Sequence, residues 1–304
     1  MRVYFCDQFV LPLPSGHRFP MGKYARLRAR VEAANQGQFQ LRIPPAARDR
    51  EILLAHDADY LQRVITGDLG RQELRALGFP WSAALVERSR RSVGATIAAC
   101  RAALTAGAAV NLAGGTHHAY GGRPQGFCVF NDAAIAARVM QREGRVERVA
   151  IVDCDVHQGN GSAAILAGDD SIFTLSLHGE KNFPVRKERS DLDVELPDAC
   201  DDATYLAALR EHLPRALAGV GLVIYLAGAD PYHGDRLGRL GLSKAGLAER
   251  DRAVFQRTVG TGIPVAVAMA GGYAENVEDI VDIHLQTVAE AARWCETRPA
   301  LAGS

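Results

Sequence analysis

The sequence predicts an α/β fold, a helix–sheet–helix sandwich in which helices cover both faces of a central, mostly parallel β-sheet. Six short runs are apolar throughout, and amphipathic stretches with helical spacing separate them. Strands buried on both faces have this composition, and strands that alternate with helices form parallel sheets through right-handed crossovers. No linker rich in Pro, Gly or Ser divides the chain, so we expect one domain over residues 1–304.

The apolar runs predict six strands, and the spacing of apolar residues predicts the main helices. Strands are expected at residues 3–5, 109–112, 149–152, 172–177, 223–227 and 265–269. Helices are expected to start near Ser82 and to cover residues 132–141, 202–217, 247–258 and 276–294. Pro214 should kink or break the helix in which it lies. Residues 6–22 and 67–80 are expected to be surface loops.

Composition and charge exclude several classes of protein. The chain has 35 Lys and Arg residues and 35 Asp and Glu residues, whereas binding to nucleic acid requires a basic surplus. No apolar stretch reaches the roughly 20 residues of a membrane-spanning helix, and the N-terminus lacks the pattern of a signal peptide. We therefore expect a cytoplasmic protein that binds neither nucleic acid nor membrane. The six cysteines include no C-x-x-C pair and are expected to be reduced, buried thiols.

Polar or glycine-rich clusters follow five of the predicted strands. The clusters lie at residues 114–118, 153–161, 176–178, 228–230 and 271–273. The carboxyl ends of parallel strands meet at one edge of the sheet, which is where ligands bind in open α/β sheets. The sequence therefore predicts one site that draws on residues about 150 positions apart.

Asp155, His157 and Asp230 have the chemistry of a catalytic metal site. Asp155 and His157 are two residues apart at a strand end, so their side chains can point the same way. A D-x-H sequence alone is more often a surface turn, but Asp230 adds a second carboxylate, and buried carboxylates need a cation or another partner. Two carboxylates and one imidazole leave a fourth position open, as in catalytic zinc sites, and the same donors accept Fe²⁺.

The adjacent His117 and His118, together with Tyr273, add acid–base groups to the same edge. A histidine here can take a proton from water and return it to a leaving amine, and Asp153 can raise the pKa of one imidazole. The Tyr273 hydroxyl can donate to a developing oxyanion. With a metal that polarises a carbonyl group, these residues predict hydrolysis of an amide bond.

The motifs at these strand ends resemble those of the zinc-dependent histone deacetylase family, which has the arginase/deacetylase fold. They are GGTHHA (114–119), GFCVFND (126–132), VDCDVHQGNG (152–161), SLH (176–178), AGAD (227–230) and AGGY (270–273). The likeness runs from about residue 17 to 290. The single histidine of HQGNG is similar to the class IV branch of the family and its bacterial relatives.

The resemblance implies roles for the matching residues, and it implies bound Zn²⁺ and a structural K⁺. The matches to zinc ligands are Asp155, His157 and Asp230. The matches to catalytic positions are His117, His118, Asp153 and Tyr273. The matches to the walls of the acyl-lysine tunnel are Gly126, Phe127, Phe183, Leu237, Gly271 and Gly272. The matches to the potassium site of many relatives are Asp153, Asp155, His157, Ser176 and Leu177.

One catalytic position departs from the pattern. Asn160 stands where many relatives have an acid behind the second histidine. A neutral amide stabilises an imidazolium less than a carboxylate does, so we predict that His118 is neutral and acts as the general base. His117, with Asp153 behind it, is predicted to be more readily cationic. Many relatives also use an acidic loop residue to grip the peptide backbone, and we assign no such residue in 67–80.

The leading hypothesis is removal of acetyl or longer acyl groups from Nε-acyl-lysine in a peptide or protein. The alternative is hydrolysis of a small acylated amine such as an acetylpolyamine, although a polyamine site favours acidic residues at the tunnel mouth. A two-manganese ureohydrolase would need further carboxylates where Gly159 and Tyr232 stand. A non-catalytic acyl-lysine binder would be expected to lack a metal ligand, a tandem histidine or the tyrosine, and all of these are present.

Overall fold

Eight parallel strands form one sheet in the computed structural model, which describes residues 1–297. In chain order they are β1 (Arg2–Tyr4), β2 (Gln40–Arg42), β3 (Ala108–Asn111), β4 (Val149–Asp153), β5 (Ile172–Gly179), β6 (Leu192–Leu196), β7 (Leu222–Leu226) and β8 (Val265–Ala268). Their order across the sheet is β2-β1-β3-β8-β7-β4-β5-β6. The predicted α/β class and parallel sheet are confirmed.

Helices cover both faces of this sheet. Over the described residues they are α1 (Lys23–Ala33), α2 (Asp49–Ile52), α3 (Ala58–Thr66), α4 (Arg71–Leu77), α5 (Ala83–Ala106), α6 (Asp132–Arg142), α7 (Asn160–Leu166), α8 (Asp202–Ala216), α9 (Lys244–Arg257) and α10 (Val277–Thr297). The α5 helix begins where the sequence predicts, because the Ser82 hydroxyl accepts a hydrogen bond from the Leu85 N–H at 3.1 Å. No helix within residues 1–297 is long and apolar enough to cross a membrane.

The central strands are apolar throughout because each face of the sheet has its own core. Along β4, Val149 and Ile151 point to the core beneath α5 and α6, whereas Ala150 and Val152 point to the core beneath α8, α9 and α10. All four residues are at most 1% exposed. This double burial explains why the strand reads as a continuous apolar run.

The two strands that the sequence did not predict, β2 and β6, are the edge strands of the sheet. Both are partly exposed along their length. They carry polar residues such as Gln40, Asp193 and Glu195, so the apolar pattern of the central strands is absent. Edge strands with charged side chains are common because such residues discourage pairing with other chains.

One local expectation was wrong, and a second, that Pro214 kinks or breaks its helix, was wrong as far as the break is concerned. Residues 67–80 were expected to be a loop but contain α4, which ends at Gly78 in the left-handed conformation (φ 78°). The Glu73 carboxylate accepts the Gly70 N–H at 2.9 Å and so stabilises the first turn of α4. Pro214 does not break α8, which continues to Ala216, because the proline lies in its last turn. Residues 6–22 form an irregular segment, as predicted.

Candidate active site

The residues singled out from the sequence meet at the carboxyl edge of the sheet. The tandem histidines follow β3, residues 153–157 span the end of β4 and the turn after it, and Asp230 and Tyr273 follow β7 and β8. Because β3, β8, β7 and β4 are neighbours in the sheet, these segments lie side by side. Asp155 and Asp230 are almost fully buried, and His157 is 7% exposed.

Asp155, His157 and Asp230 form a compact group that can hold a metal ion. One ligand atom from each lies within 4.8 Å of the others. The Asp230 Oδ1 accepts the Val156 N–H at 2.9 Å, but its buried Oδ2 has no hydrogen-bond partner within the described residues. That oxygen lies 3.4 Å from His157 Nδ1, and a buried carboxylate oxygen without a hydrogen bond is costly unless a cation binds it.

The electrostatics of this group also favour a bound cation. Burial and, after it, the neighbouring Asp155 carboxylate raise the pKa of Asp230 to about 7. Burial alone would lower the pKa of His157, but Asp155 and Asp230 outweigh it and raise that pKa to about 10. The group thus favours added positive charge, and its O, N, O donor set fits a divalent transition metal.

The tandem histidines differ in the group behind each ring. The His117 Nδ1 lies 2.6 Å from the Asp153 carboxylate, and the His118 Nδ1 lies 2.6 Å from the Asn160 side-chain oxygen. The two rings are 4.1 Å apart between centroids, and both are buried. We call the metal-ligating group and these two histidines, residues 117, 118, 155, 157 and 230, the floor of the site.

The pKa values of the two imidazoles shift in opposite directions. Burial would lower the pKa of His117, but the carboxylates of Asp153 and Asp155 overcome it and raise the pKa to about 9. Burial lowers the pKa of His118 well below its ordinary value, and the nearby His117 and His157 lower it further. These shifts favour a proton on His117 and a neutral His118.

The turn that carries the histidines is held by the end of the GFCVFND motif. The Asp132 carboxylate accepts the N–H groups of Gly115 at 3.0 Å and Thr116 at 2.7 Å. Gly115 has a φ of 72°, and a Cβ there would lie 2.4 Å from that of Ala270. Asn131 caps α6 with its side-chain oxygen, which accepts the Ala134 N–H. This part of the motif therefore positions the imidazoles instead of lining the cavity.

The backbone around Tyr273 is fixed by three residues that the sequence did not single out. The Tyr273 N–H donates to Asp235 Oδ2 at 2.5 Å, its carbonyl accepts from Arg236 Nε at 3.0 Å, and the Gly272 carbonyl accepts from Lys23 Nζ at 3.1 Å. Lys23 lies 249 positions from Gly272 in the chain, so no local sequence pattern predicts this contact. Asp235 follows the AGAD motif by five residues, and that was the one available signal.

Burial raises the pKa of the Tyr273 phenol well above its ordinary value. The hydroxyl therefore stays protonated at neutral pH and can donate a hydrogen bond. Its ring centroid lies 6.4 Å from that of His157, which places the tyrosine beside the metal-ligating group.

A cavity of about 540 Å³ opens above the floor. Four of the predicted tunnel residues line it, namely Gly126, Phe127, Phe183 and Leu237, together with His118, His157 and Tyr273. Gly271 and Gly272 are not among the residues that line this cavity, and Gly271 lies against the carboxylates of Asp155 and Asp230. The Gly271 N–H donates to Asp155 Oδ2 at 2.8 Å, and a Cβ on Gly271 would lie 1.9 Å from Asp230 Oδ2.

Two of the residues predicted to hold potassium, Asp155 and His157, belong to the metal-ligating group, and the other three lie on β4 and β5. Asp153 and Ser176 are register partners on β4 and β5, and Leu177 is fully buried next to Ser176. The Ser176 hydroxyl lies 3.0 Å from His178 Nδ1. The Asp153 Oδ1 accepts the Asp155 N–H at 3.1 Å.

Comparison with solved structures supports the fold. The structure of the HDA15 HD domain superposes with a TM-score of 0.80 at 22% identity, covering 97% of this chain and 94% of that one. That of an acetylpolyamine aminohydrolase from Burkholderia pseudomallei superposes with a TM-score of 0.75 at 22% identity, covering 95% and 98%. The fold is the arginase/deacetylase fold.

Sequence comparison identifies the family. An uncharacterized protein of Picosynechococcus is 44% identical over 93% of this chain and 95% of its own length. A histone deacetylase-like amidohydrolase of Pseudomonas aeruginosa is 30% identical over 87% of this chain and 74% of its own length. The model of the histone deacetylase domain matches residues 17–288. The chain belongs to the histone deacetylase domain family.

Proposed function

We propose that this protein removes acyl groups, acetyl or longer, from Nε-acyl-lysine side chains of peptides or proteins. One observation carries the proposal: two histidines with opposite protonation preferences and a protonated tyrosine surround a metal-ligating group at the bottom of one cavity. Amide hydrolysis needs a base, an acid and an oxyanion donor within reach of one carbonyl group. The aromatic walls suit the methylene chain of a lysine.

The metal would be held by Asp155, His157 and Asp230. The donor set suits Zn²⁺, and Fe²⁺ is the alternative. When bound, such an ion polarises the amide carbonyl and lowers the pKa of water. A structural K⁺ would lie at Asp153, Asp155, His157, Ser176 and Leu177, partly through backbone carbonyls.

The side chains of this chain would divide the proton transfers between them. His118 is neutral and accepts a proton from the attacking water. His117 is cationic, and Asp153 keeps its ring oriented and charged, so it donates to the departing lysine amine. The Tyr273 hydroxyl donates to the carbonyl oxygen as negative charge develops there. The single histidine of HQGNG supports a relationship to the class IV branch. That relationship favours substrates with acyl groups longer than acetyl.

The test is an initial-rate assay with zinc-loaded protein. The substrates are matched peptides that carry acetyl-, lactyl-, octanoyl- or myristoyl-lysine, alongside N-acetylputrescine. Peptide cleavage that Tyr273→Phe removes would support the proposal, and the ranking of acyl groups would measure the depth of the cavity. Cleavage of N-acetylputrescine alone would replace the proposal with a small-amine function. The absence of turnover at stoichiometric metal would point to a non-catalytic binder.

A further inference from the structure

The mouth of the active-site cavity is basic. Five of the residues that line it are cationic, namely Arg18, Arg75, Lys181, Arg236 and Arg239, and none of the described lining residues is Asp or Glu. We call these five residues the basic rim. The whole chain has no net charge, so the rim is a local concentration of positive charge.

Only part of this charge is neutralised within the protein. Arg239 and Lys181 both approach the Asp198 carboxylate, at 2.5 Å and 3.8 Å. Over residues 1–297, no carboxylate lies within 4 Å of the guanidinium groups of Arg18, Arg75 or Arg236. These three side chains are exposed. They come from the N-terminal irregular segment, from α4 and from the segment after β7, so they reach the mouth from separate parts of the chain.

The carboxylates that lie nearest in sequence to these arginines are committed elsewhere. Glu73, two positions before Arg75, binds Arg63 Nη1 at 2.6 Å and the Gly70 N–H. Asp235, next to Arg236, accepts three backbone N–H groups, from Leu237, Gly238 and Tyr273. Arg18 stands over the Phe127 ring at 5.0 Å, which fixes its charge beside the cavity wall. An incoming substrate therefore meets three uncompensated positive charges.

We propose that the preferred substrate is an acyl-lysine flanked by Asp or Glu residues in an extended peptide segment. This inference rests on the proposed lysine deacylase function and names its substrate class. Carboxylates beside the acyl-lysine would be attracted to the rim, whereas the ammonium groups of an acetylpolyamine would be repelled. Because the three arginines without a carboxylate partner belong to three separate segments, a peptide with charges on both sides of the lysine meets more of them than a small molecule does.

Arg75 also explains why no peptide-gripping acid could be assigned in residues 67–80. The two carboxylates of that segment belong to Asp68 and Glu73, and neither lines the cavity. The side chain that reaches the mouth from this segment is an arginine. Recognition at this point of the rim therefore depends on acceptor groups of the substrate, with side-chain carboxylates as the strongest.

Three peptides that differ only around a central acetyl-lysine test this proposal on the zinc-loaded enzyme. Two Glu, two Gln or two Lys residues flank the acetyl-lysine on each side, and kcat/KM is measured at low and high NaCl. At low salt we expect the Glu peptide to exceed the Lys peptide by about tenfold or more, since exposed charges mainly change association. The ratio should shrink at high salt because these charges are exposed to solvent.

Substitutions of rim arginines test whether the rim causes the preference for the Glu peptide. Arg75→Gln and Arg18→Gln should each lower the ratio of kcat/KM for the Glu peptide to that for the Gln peptide by a few-fold, and Arg75→Lys should retain most of it. Arg71→Gln is the matched control, because Arg71 is an exposed arginine one turn earlier on α4 that does not line the cavity. It should leave the ratio at the wild-type value.

The possible failures are distinguishable. Equal cleavage of all three peptides would overturn the basic-rim proposal and leave lysine deacylation intact. Cleavage of N-acetylputrescine with no peptide cleaved would overturn both. Faster cleavage of free Nε-acetyl-lysine than of any peptide would assign the rim to small carboxylated amines and would overturn the peptide substrate.

Discussion

The floor and the rim of the active-site cavity differ in how their polar and charged groups are paired. In the floor, buried groups are arranged in fixed pairs, such as His117 with Asp153 and His118 with Asn160. At the rim, Arg18, Arg75 and Arg236 are exposed and have no carboxylate partner within the described part of the chain. The floor thus brings buried ionisable groups together at defined atoms, whereas the positive charges of the rim face solvent.

Burial decides how strongly a substitution should act in each region. A buried charge that loses its partner retains its full desolvation cost, so changes in the floor should alter metal binding, catalysis and stability together. Exposed charges are screened by water and salt, so changes at the rim should alter substrate preference and leave stability almost unchanged. The predictions below test this contrast.

The largest effect is expected for Asp230→Asn. Removal of one ligand charge should lower metal retention and reduce kcat/KM by about 10³-fold or more, since a bound metal supplies several kcal/mol of charge stabilisation. Mass spectrometry measures the metal content, and initial-rate assays measure kcat/KM. A variant that keeps one metal per chain and more than a tenth of the activity would remove Asp230 from the ligand set.

Asp230→Asn should also make the stability of the metal-free protein less dependent on pH. The pKa of Asp230 is raised from 3.8 to about 7 in the fold, so the native state binds more protons than the unfolded state over that interval. Its contribution to stability therefore falls as the pH rises from about 4 to 7, and the amide removes this loss. Denaturation in the presence of chelator at pH 5 and pH 8 should show a smaller difference for the variant than for the wild type.

Tyr273→Phe should cause the second-largest loss of activity. Loss of one oxyanion donor reduces kcat by roughly 10²–10³-fold in comparable sites. The metal content should not change, because the variant keeps the ligand group of Asp155, His157 and Asp230. A variant with normal metal and a loss of less than tenfold would show that the phenol does not donate in the transition state.

Asp235→Asn should have an intermediate effect, because Asp235 acts through the backbone of Tyr273. Its carboxylate accepts three backbone N–H groups, and the amide can replace only some of them. We expect a decrease in kcat of about tenfold with a smaller change in KM, and a loss of about 1–3 kcal/mol of stability. Asp198→Asn is the matched control beside the rim, where the loss of an exposed ion pair with Arg239 should leave stability almost unchanged.

Asn160→Asp should move the pH profile and leave the fold intact. A carboxylate behind His118 would raise the pKa of that imidazole, and a general base must be unprotonated, so the acidic limb of kcat/KM should move to higher pH. Asp153→Asn is the mirror change: the pKa of His117 falls and the alkaline limb moves to lower pH.

The control for Asn160→Asp is Tyr120→Phe. The Asn160 side-chain N–H group also donates to the Tyr120 hydroxyl at 2.9 Å, and this variant removes that contact without changing charge at His118. Its acidic limb should stay in place. An unmoved acidic limb in Asn160→Asp itself would exclude the division of roles between the two histidines.

The sequence predicted those parts of the molecule in which a local pattern reflects burial. The six central strands are apolar runs because both faces of the sheet are covered, and the strand-end motifs converge because parallel strands share one edge. The edge strands β2 and β6 lack that pattern, since they are only partly buried. The roles of the site residues stay predictions that the variants above test.

Tertiary contacts that carry no local pattern were not predicted. Lys23 reaches the Gly272 carbonyl, and Asp235 reaches the Tyr273 N–H, only after the whole sheet has assembled. The basic rim likewise collects exposed arginines from three segments, and single exposed arginines are ordinary in any sequence. The net charge of the chain does not reveal this cluster, because acidic residues elsewhere in the chain balance its positive charge.

The smallest effects are expected for substitutions of the two phenylalanines that form the walls of the cavity, which differ in how deeply they are packed. Phe183 is 40% exposed and meets the His118 ring edge-on at 4.9 Å, whereas Phe127 packs against Phe19 and Phe79 at about 5 Å. Phe183→Ala should raise KM for an acyl-lysine peptide a few-fold and change stability by only about 0.5 kcal/mol. Phe127→Ala should raise KM similarly but also lower the unfolding free energy by about 1–3 kcal/mol, since packed rings are lost. Equal stability losses in the two variants would show that both walls belong to the packed interior.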